Sequence, residues 1–264
     1  VKSLFTKVSS ILLLCLPVFA NNEIYITQVG TSNSFTLDIL QDGDDNVVQI
    51  SVSHDSNSID IDQEGNNNTI SWVSYWGSGQ GWGGDLDGSS NTLKFEQYNT
   101  TGTDANRIGF HIPSSNNTIH LCQGKTFDNS SDTTCEPTTS SEYGGHTIDL
   151  DIHSGGTDLK GSQETGTGNA DHYARVYTYN GDNNDIFFKQ SGNGDKWLSL
   201  IVRTDNGEQE IIQAGNGDHT ATVDLTGAYT TDLSLTQNSS SDKTYTLTNN
   251  CQTSSGCSIT VTQN

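Results

Sequence analysis

The chain has 264 residues, of which 31% are hydrophobic and three are proline, and its formal charge is −21. An acidic balance of that size excludes binding to nucleic acid through phosphate contacts as a general function. Low apolar content with high charge approaches the composition of disordered chains, so the order in which the apolar residues occur decides whether the chain folds.

The first segment, Val1-Lys2-Ser3-Leu4-Phe5-Thr6-Lys7, carries two positive charges; Ile11 to Phe19 is an apolar run, and Val18-Phe19-Ala20 supplies a small-residue cleavage site. This reads as a secretory signal peptide over residues 1–20, too short and wrongly flanked for a membrane span. The chain contains no Met, so Val1 reads as the product of a GTG start codon, which points to a bacterium. Cys15 follows Leu12-Leu13-Leu14 rather than a small residue, which argues against a lipoprotein anchor. The mature chain is expected to begin at Asn21. Loss of Lys2 and Lys7, the only charged residues of the leader, takes the charge from −21 to −23. No later apolar run is long enough to span a bilayer, so no transmembrane anchor is expected.

Beyond the leader, Ile24-Tyr25-Ile26-Thr27-Gln28 alternates as a strand does. The same alternation then falls into a repeat. Gln41-x-Gly43-x-x-Asn46-x-Val48-x-Ile50 recurs 22 residues later as Gln63-x-Gly65-x-x-Asn68-x-Ile70-x-Trp72. Between them lies Asn57-x-Ile59-x-Ile61, so Asn46, Asn57 and Asn68 follow one another at intervals of 11. Period-two alternation bounded by Gly, Asn and Asp is a strand–turn signal, and recurrence at this period predicts a stacked repeat. In such a stack the same position recurs above itself, so the amides of Gln28, Asn33, Gln41, Asn46, Asn57, Gln63 and Asn68 are expected to donate and accept along a ladder. Gly30, Gly43 and Gly65 are expected at tight corners that need positive φ.

This pattern resembles the curlin repeat, the strand–turn–strand unit of curli-type functional amyloid subunits. The resemblance is carried by Gln28-x-Gly30-x-x-Asn33-x-Phe35, Gln41 to Val48, and Gln63 to Ile70. The second Gln of the fuller family motif is missing or displaced in these copies, and the specific match covers about a quarter of the mature chain. The resemblance implies a secreted fibre subunit or fibre-associated adhesin of the bacterial surface and extracellular matrix. It also implies self-association into filaments, a nucleator or major subunit as partner, and export through an outer-membrane pore.

Strand candidates continue past Trp72 with looser spacing: Asn91 to Gln97, Asn106 to Phe110, Asn117 to Leu121, Thr147 to Ile152, Ala174 to Val176, Asn184 to Gly192, Leu198 to Val202, Ile211 to Gly215, Ala221 to Leu225, Leu233 to Gln237, Tyr245 to Leu247 and Ile259 to Gln263. The fold class expected is therefore all-β, a parallel β-solenoid over residues 21–264 with loop insertions near 73–90 and 122–145. Two strands per turn give on the order of eight layers, about 4.8 Å apart.

The first insertion carries Trp76 and Trp82 among glycines, aromatic faces suited to stacking on a sugar ring, although a loop with its own small core would use them as well. They support the runner-up function, a non-polymerising surface solenoid that binds glycans. Four cysteines remain after the leader, Cys122, Cys135, Cys251 and Cys257. Their spacing fits no zinc pattern, and in an exported chain an even count reads as disulfides. Of three connectivities the local pairs, Cys122 with Cys135 and Cys251 with Cys257, are the expected ones. Gly192-Asn193-Gly194-Asp195 recurs 23 residues later as Gly215-Asn216-Gly217-Asp218, placing Asp195 and Asp218 at one corner of neighbouring layers. Stacked carboxylates repel unless a cation intervenes, which makes calcium the candidate metal and solvated turn aspartates the plainer reading. The seven histidines occupy unrelated contexts; no nucleophile elbow or phosphate loop appears, and no enzyme is expected. Finally, Ile24, Ile26 and Gln28 at one end and Ile259, Val261 and Gln263 at the other are expected to present uncovered sheet edges for end-to-end stacking.

Overall fold

The computed structural model describes residues 13–15, 22–29, 35–42, 45–53, 56–65, 68–70, 85–87, 90–98, 107–112, 117–123, 147–152, 158–164, 172–182, 185–192, 195–205, 207–215, 217–226, 232–238, 242–249 and 257–264. Every regular element among them is a strand. In chain order they are β1 (Leu13–Cys15), β2 (Asn22–Val29), β3 (Phe35–Asp42), β4 (Asn46–Ser53), β5 (Ser56–Glu64), β6 (Asp85–Asp87), β7 (Ser90–Tyr98), β8 (Ile108–Ile112), β9 (Asn117–Gln123) and β10 (Thr147–Ile152). There follow β11 (Asp158–Glu164), β12 (His172–Asp182), β13 (Asp185–Ser191), β14 (Lys196–Asp205), β15 (Glu208–Ala214), β16 (His219–Leu225), β17 (Asp232–Asn238), β18 (Lys243–Asn249) and β19 (Ser258–Gln263).

The odd-numbered strands form one ten-stranded sheet and the even-numbered strands a second, nine-stranded sheet, each in sequence order and parallel throughout. The chain therefore lays one strand in one sheet, turns a corner, lays the next in the facing sheet, and advances by one strand spacing per coil: a β-solenoid, as the repeat predicts. Parallel sheets usually bury both faces and read as continuous apolar runs. Here the inner faces meet, and strands such as β3, β15 and β16 alternate accordingly, whereas β10 and β13 are buried at nearly every position. In β3 the inward Leu37, Ile39 and Gln41 are buried while the outward Thr36, Asp38, Leu40 and Asp42 are exposed.

Register is additive along the stack. Leu37, Ile59, Leu93 and Ile119 stand opposite one another in β3, β5, β7 and β9, and Ile148, Ala174, Leu198 and Ala221 do so in β10, β12, β14 and β16. Across the interior the two sheets meet as one apolar core, with the Phe95 and Phe110 rings stacked 4.7 Å apart. Each buried aliphatic side chain contributes roughly 1.5–3 kcal/mol. A thin core with two such residues per strand thus holds a chain of low apolar content.

Several boundaries differ from expectation. The 11-residue interval alternates between sheets: Asn46 and Asn68 stand on the even-strand side, Asn57 on the odd-strand side opposite Phe35 and Asn91. Short β6 falls inside the expected 73–90 loop, and Cys122 belongs to β9 rather than to an insertion. Within the expected leader, Leu13–Cys15 pairs with Asp38–Leu40 at the outer edge of β3. Strand β11 was not predicted. Its central inward position is Gly161, because the Phe188 ring of the next layer fills that space: a Cβ there would lie 2.4 Å from Phe188 Cε2.

Candidate assembly faces and the amide column between them

The most regular feature of the interior is a column of glutamines at the C-terminal corner of the odd-numbered strands: Gln41, Gln63, Gln97, Gln123, Gln163, Gln190, Gln213, Gln237 and Gln263. From Gln63 onward each Nε2 donates to the Oε1 of the layer before it, at 2.7 Å from Gln63 to Gln41 and 2.6 Å from Gln263 to Gln237, with the six intervening bonds between 2.8 and 3.1 Å. From Gln63 to Gln237 the second N–H donates to a backbone carbonyl of the facing sheet, such as Thr147 or Trp197. Buried polar groups need partners, and an amide supplies both donor and acceptor, so the column satisfies itself and points in one direction.

Two shorter asparagine columns sit at the strand starts. Asn68 Nδ2 donates to Asn46 Oδ1 at 2.9 Å, and Asn117 Nδ2 to Asn91 Oδ1 at 3.0 Å. Asn57 has the register of the second column; its side chain lies outside the described residues, as do the Gln28 side chain, Asn33, Gly30 and Gly43. Gln28 does not belong to the glutamine column: it stands in the other sheet, opposite Val52. Gly65 has φ of 121°, as a corner of this kind requires.

Sequence reading missed what becomes of the Asn46–Asn68 position further along. In the same register stand His172, Lys196, His219 and Lys243, the first three buried. Lys196 Nζ donates to the carbonyl of Gly192 in the preceding turn. Burial pulls its pKa down to about 8, against the pull of Asp195 and Asp218 in the other direction. His219 is held below the usual histidine range, first by burial and then by Lys196 and Lys243, with the Asp242 carbonyl and Asp218 opposing. The ends of the two Gly-Asn-Gly-Asp corners share a register, Asn193, Gly194 and Asn216 lying outside the described residues: Lys196 pairs with His219, and their N–H groups donate to Asp218 and Asp242 carbonyls at 2.7 Å. Gly215, at φ of 97°, sits so close beneath Gly192 that a Cβ would lie 2.6 Å from its carbonyl oxygen. Among the described residues no three His, Cys, Asp or Glu side chains group as a metal site. The Lys196 ammonium feels the charge of both Asp195 and Asp218.

The outer faces carry two further clusters. On the odd-strand sheet Lys94 bridges Asp60, Asp62 and Glu96 at 3.3, 3.5 and 3.2 Å, and His120 lies 3.1 Å from Glu96. Burial, then the charge of Glu96, pushes Asp62 up to about 6, while Lys94 and His120 hold Glu96 below its ordinary value despite its burial. On the even-strand sheet Tyr173 and Trp197 stack 4.4 Å apart at 8°, Arg203 lies 5.6 Å over Tyr177, and Arg175 pairs with Asp149. Trp76, Trp82, Cys135 and Cys251 lie outside the described residues; Cys122 is buried against Phe187 and Ile212.

At the stack ends, Ile259 and Val261 of β19 are 39% and 38% exposed although their register partners Leu233 and Leu235 are buried. Tyr245 and Leu247 of β18 are half-buried, as is Ile26 at the other end, where Ile24 is 8% exposed. No helix among the described residues is long and apolar enough to cross a membrane. No family model, curated protein or solved structure matches the chain.

Proposed function

We propose that this protein is a secreted bacterial fibre subunit, or a fibre-associated adhesin of the extracellular matrix, that assembles by end-to-end stacking of its coils. One observation carries the reading: the glutamine column runs in one direction through every odd-numbered strand from β3 onward and arrives at β19, whose Ile259 and Val261 stand exposed in an interior register. A further copy extends the backbone ladder, the apolar columns and the amide column together. The contact is head-to-tail, so it does not close on itself and grows as a filament. The curlin resemblance supports the same reading and adds a nucleator or major subunit and an export pore as parts of the proposal; export also makes the local disulfides of Cys122 with Cys135 and Cys251 with Cys257 part of it. Calcium at the Asp195–Asp218 corner belongs to it as an optional screen of the acidic surface.

The test is fibre growth of purified protein, followed by electron microscopy and by elongation from sheared seeds. Wild type is expected to form filaments one solenoid wide. A folded Ile26→Pro/Val261→Pro variant, which disturbs both edge strands, is expected to elongate far more slowly. Equal elongation sinks the mechanism. Absence of fibres at any concentration, with glycan binding that disappears in Trp76→Ala/Trp82→Ala, establishes the glycan-binding solenoid instead.

A further inference from the structure

Stacking of copies demands that both sheets continue across the junction in the same turn of the coil. The alternation of strands meets that demand, since β18 ends one sheet and β19 the other. The next strands laid down, those of a following copy, are its β2 on β18 and its β3 on β19. Following the registers through the stack, Tyr245 and Leu247 are equivalent to Ile24 and Ile26, and Ser258–Gln263 is equivalent to Thr36–Gln41.

The outer edge of β3, however, is engaged. Leu13, Leu14 and Cys15 pair with Asp38, Ile39 and Leu40, the positions that Thr260, Val261 and Thr262 of a preceding copy meet in the continued register. We propose that the β3 edge is the receiving surface for β19 of a second copy of this chain, in the register Thr36 to Ser258 through Gln41 to Gln263, and that residues 13–15 occupy this surface until they are displaced or removed. The inference rests on the stacking reading above and specifies its junction. The occupant is identified by phase and register. β19 offers six residues against the three of β1. It also brings Gln263, whose Oε1 stands where Gln41 Nε2 donates if the column continues as it runs inside. The longer ladder displaces the shorter, and assembly is held back while β1 stays paired.

Disulfide trapping tests this on the full chain. Cys15 stands opposite Leu40, an outward and exposed position. Neighbouring strands lie about 4.8 Å apart, within the range a disulfide spans. In a Leu40→Cys/Thr262→Cys chain, oxidation is expected to join Cys15 to the thiol introduced at position 40 within one molecule. Adding Leu13→Pro and Leu14→Pro removes two of the three backbone donors of that segment. The thiol at position 40 is then expected to bond to the one at position 262 of another molecule, as mapped by peptide mass, and seeded elongation to rise on the order of tenfold, the effect of about 1.4 kcal/mol. Equal elongation with and without the two prolines overturns the competition. Fibres whose bonds do not join positions 40 and 262 overturn the register while leaving stacking itself standing. No fibres from either chain overturns both.

Discussion

Two inward columns flank one corner of the stack, one at the ends of the odd-numbered strands and the other at the starts of the even-numbered strands that follow them, and they solve the same problem differently. At one, nine layers carry glutamine, from Gln41 to Gln263. At the other, Asn46 and Asn68 give way to His172, Lys196, His219 and Lys243. An amide donates and accepts at once, so a column of amides satisfies itself at any length. An ammonium only donates, and like charges one strand apart oppose one another. The basic column therefore leans on its surroundings: the Gly192 carbonyl accepts a hydrogen bond from Lys196, and Asp195 and Asp218 set opposite charge beside it. The glutamine column is a device for repetition, and the basic column makes the later layers responsive to pH.

Breaking the glutamine column in the middle has the largest effect. Gln190→Ala leaves Gln163 Oε1 without its donor, Gln213 Nε2 without its acceptor and the Trp197 carbonyl without its bond. At roughly 1–3 kcal/mol for each of the three buried groups left unsatisfied, the expected loss is at least about 3 kcal/mol, read from urea unfolding. Gln263→Ala, at the exposed end, is expected to cost stability little and elongation much. A loss at Gln190 no larger than at Gln263 overturns the view that the column stabilises the interior.

Returning the other column to amides sharpens the comparison. Lys196 has a folded pKa of about 8 against an ordinary 10.5. A base whose pKa is lowered on folding costs stability below the folded value, and that cost fades as pH rises from about 8 to 10.5. Lys196→Asn is expected to abolish this gain, which is on the order of 2–3 kcal/mol between pH 8 and 10.5. The difference between the two chains, not either curve alone, isolates Lys196, because tyrosines titrate near the upper limit.

How much of this could be read from the sequence follows from where each regularity lives. The strands, the parallel solenoid and the run from Gln41 to Gln63 are local patterns of alternation and interval, and the amide ladder was legible there. Its continuation through Gln97, Gln123 and Gln163 was not, because insertions stretch the interval from 22 residues to 34, 26 and 40. Gln28 fits the motif and yet stands in the other sheet, since a motif does not state which sheet a strand joins. Strand β11 was hidden by Gly161, whose apolar volume is supplied by Phe188 one layer away. Gly161→Ala is accordingly expected to cost about 1–3 kcal/mol by overpacking, and Phe188→Leu in the same chain to recover part of it. An undiminished cost in the double variant argues against that pairing. The basic column escaped notice because histidine and lysine share no motif with asparagine, and only register brings them into line.

The smallest effects come from mild acid, and the two regions are expected to answer it with opposite signs. His219 binds a proton less readily folded than unfolded. As pH falls through the unfolded value near 6.5, the unfolded chain gains protons first and the later layers lose stability. The groups facing His219 are Lys196, Lys243, Asp218 and the Asp242 carbonyl. Asp62, on the outer face of the early layers, behaves inversely: burial and Glu96 raise its pKa to about 6, so the folded state takes up a proton between 6 and 3.8 and gains stability there. Glu96 is lowered, and its opposing loss begins only below its ordinary 4.5. One titrating group contributes at most about 1.4 kcal/mol per pH unit. Hydrogen exchange at pH 7 and pH 5, corrected for intrinsic rates, is therefore expected to show less protection in β14, β16 and β18 and unchanged or greater protection in β5 and β7. His219→Asn should remove the first change and Asp62→Asn the second. Equal acid loss in both regions, surviving both substitutions, would mean that these columns do not set the response.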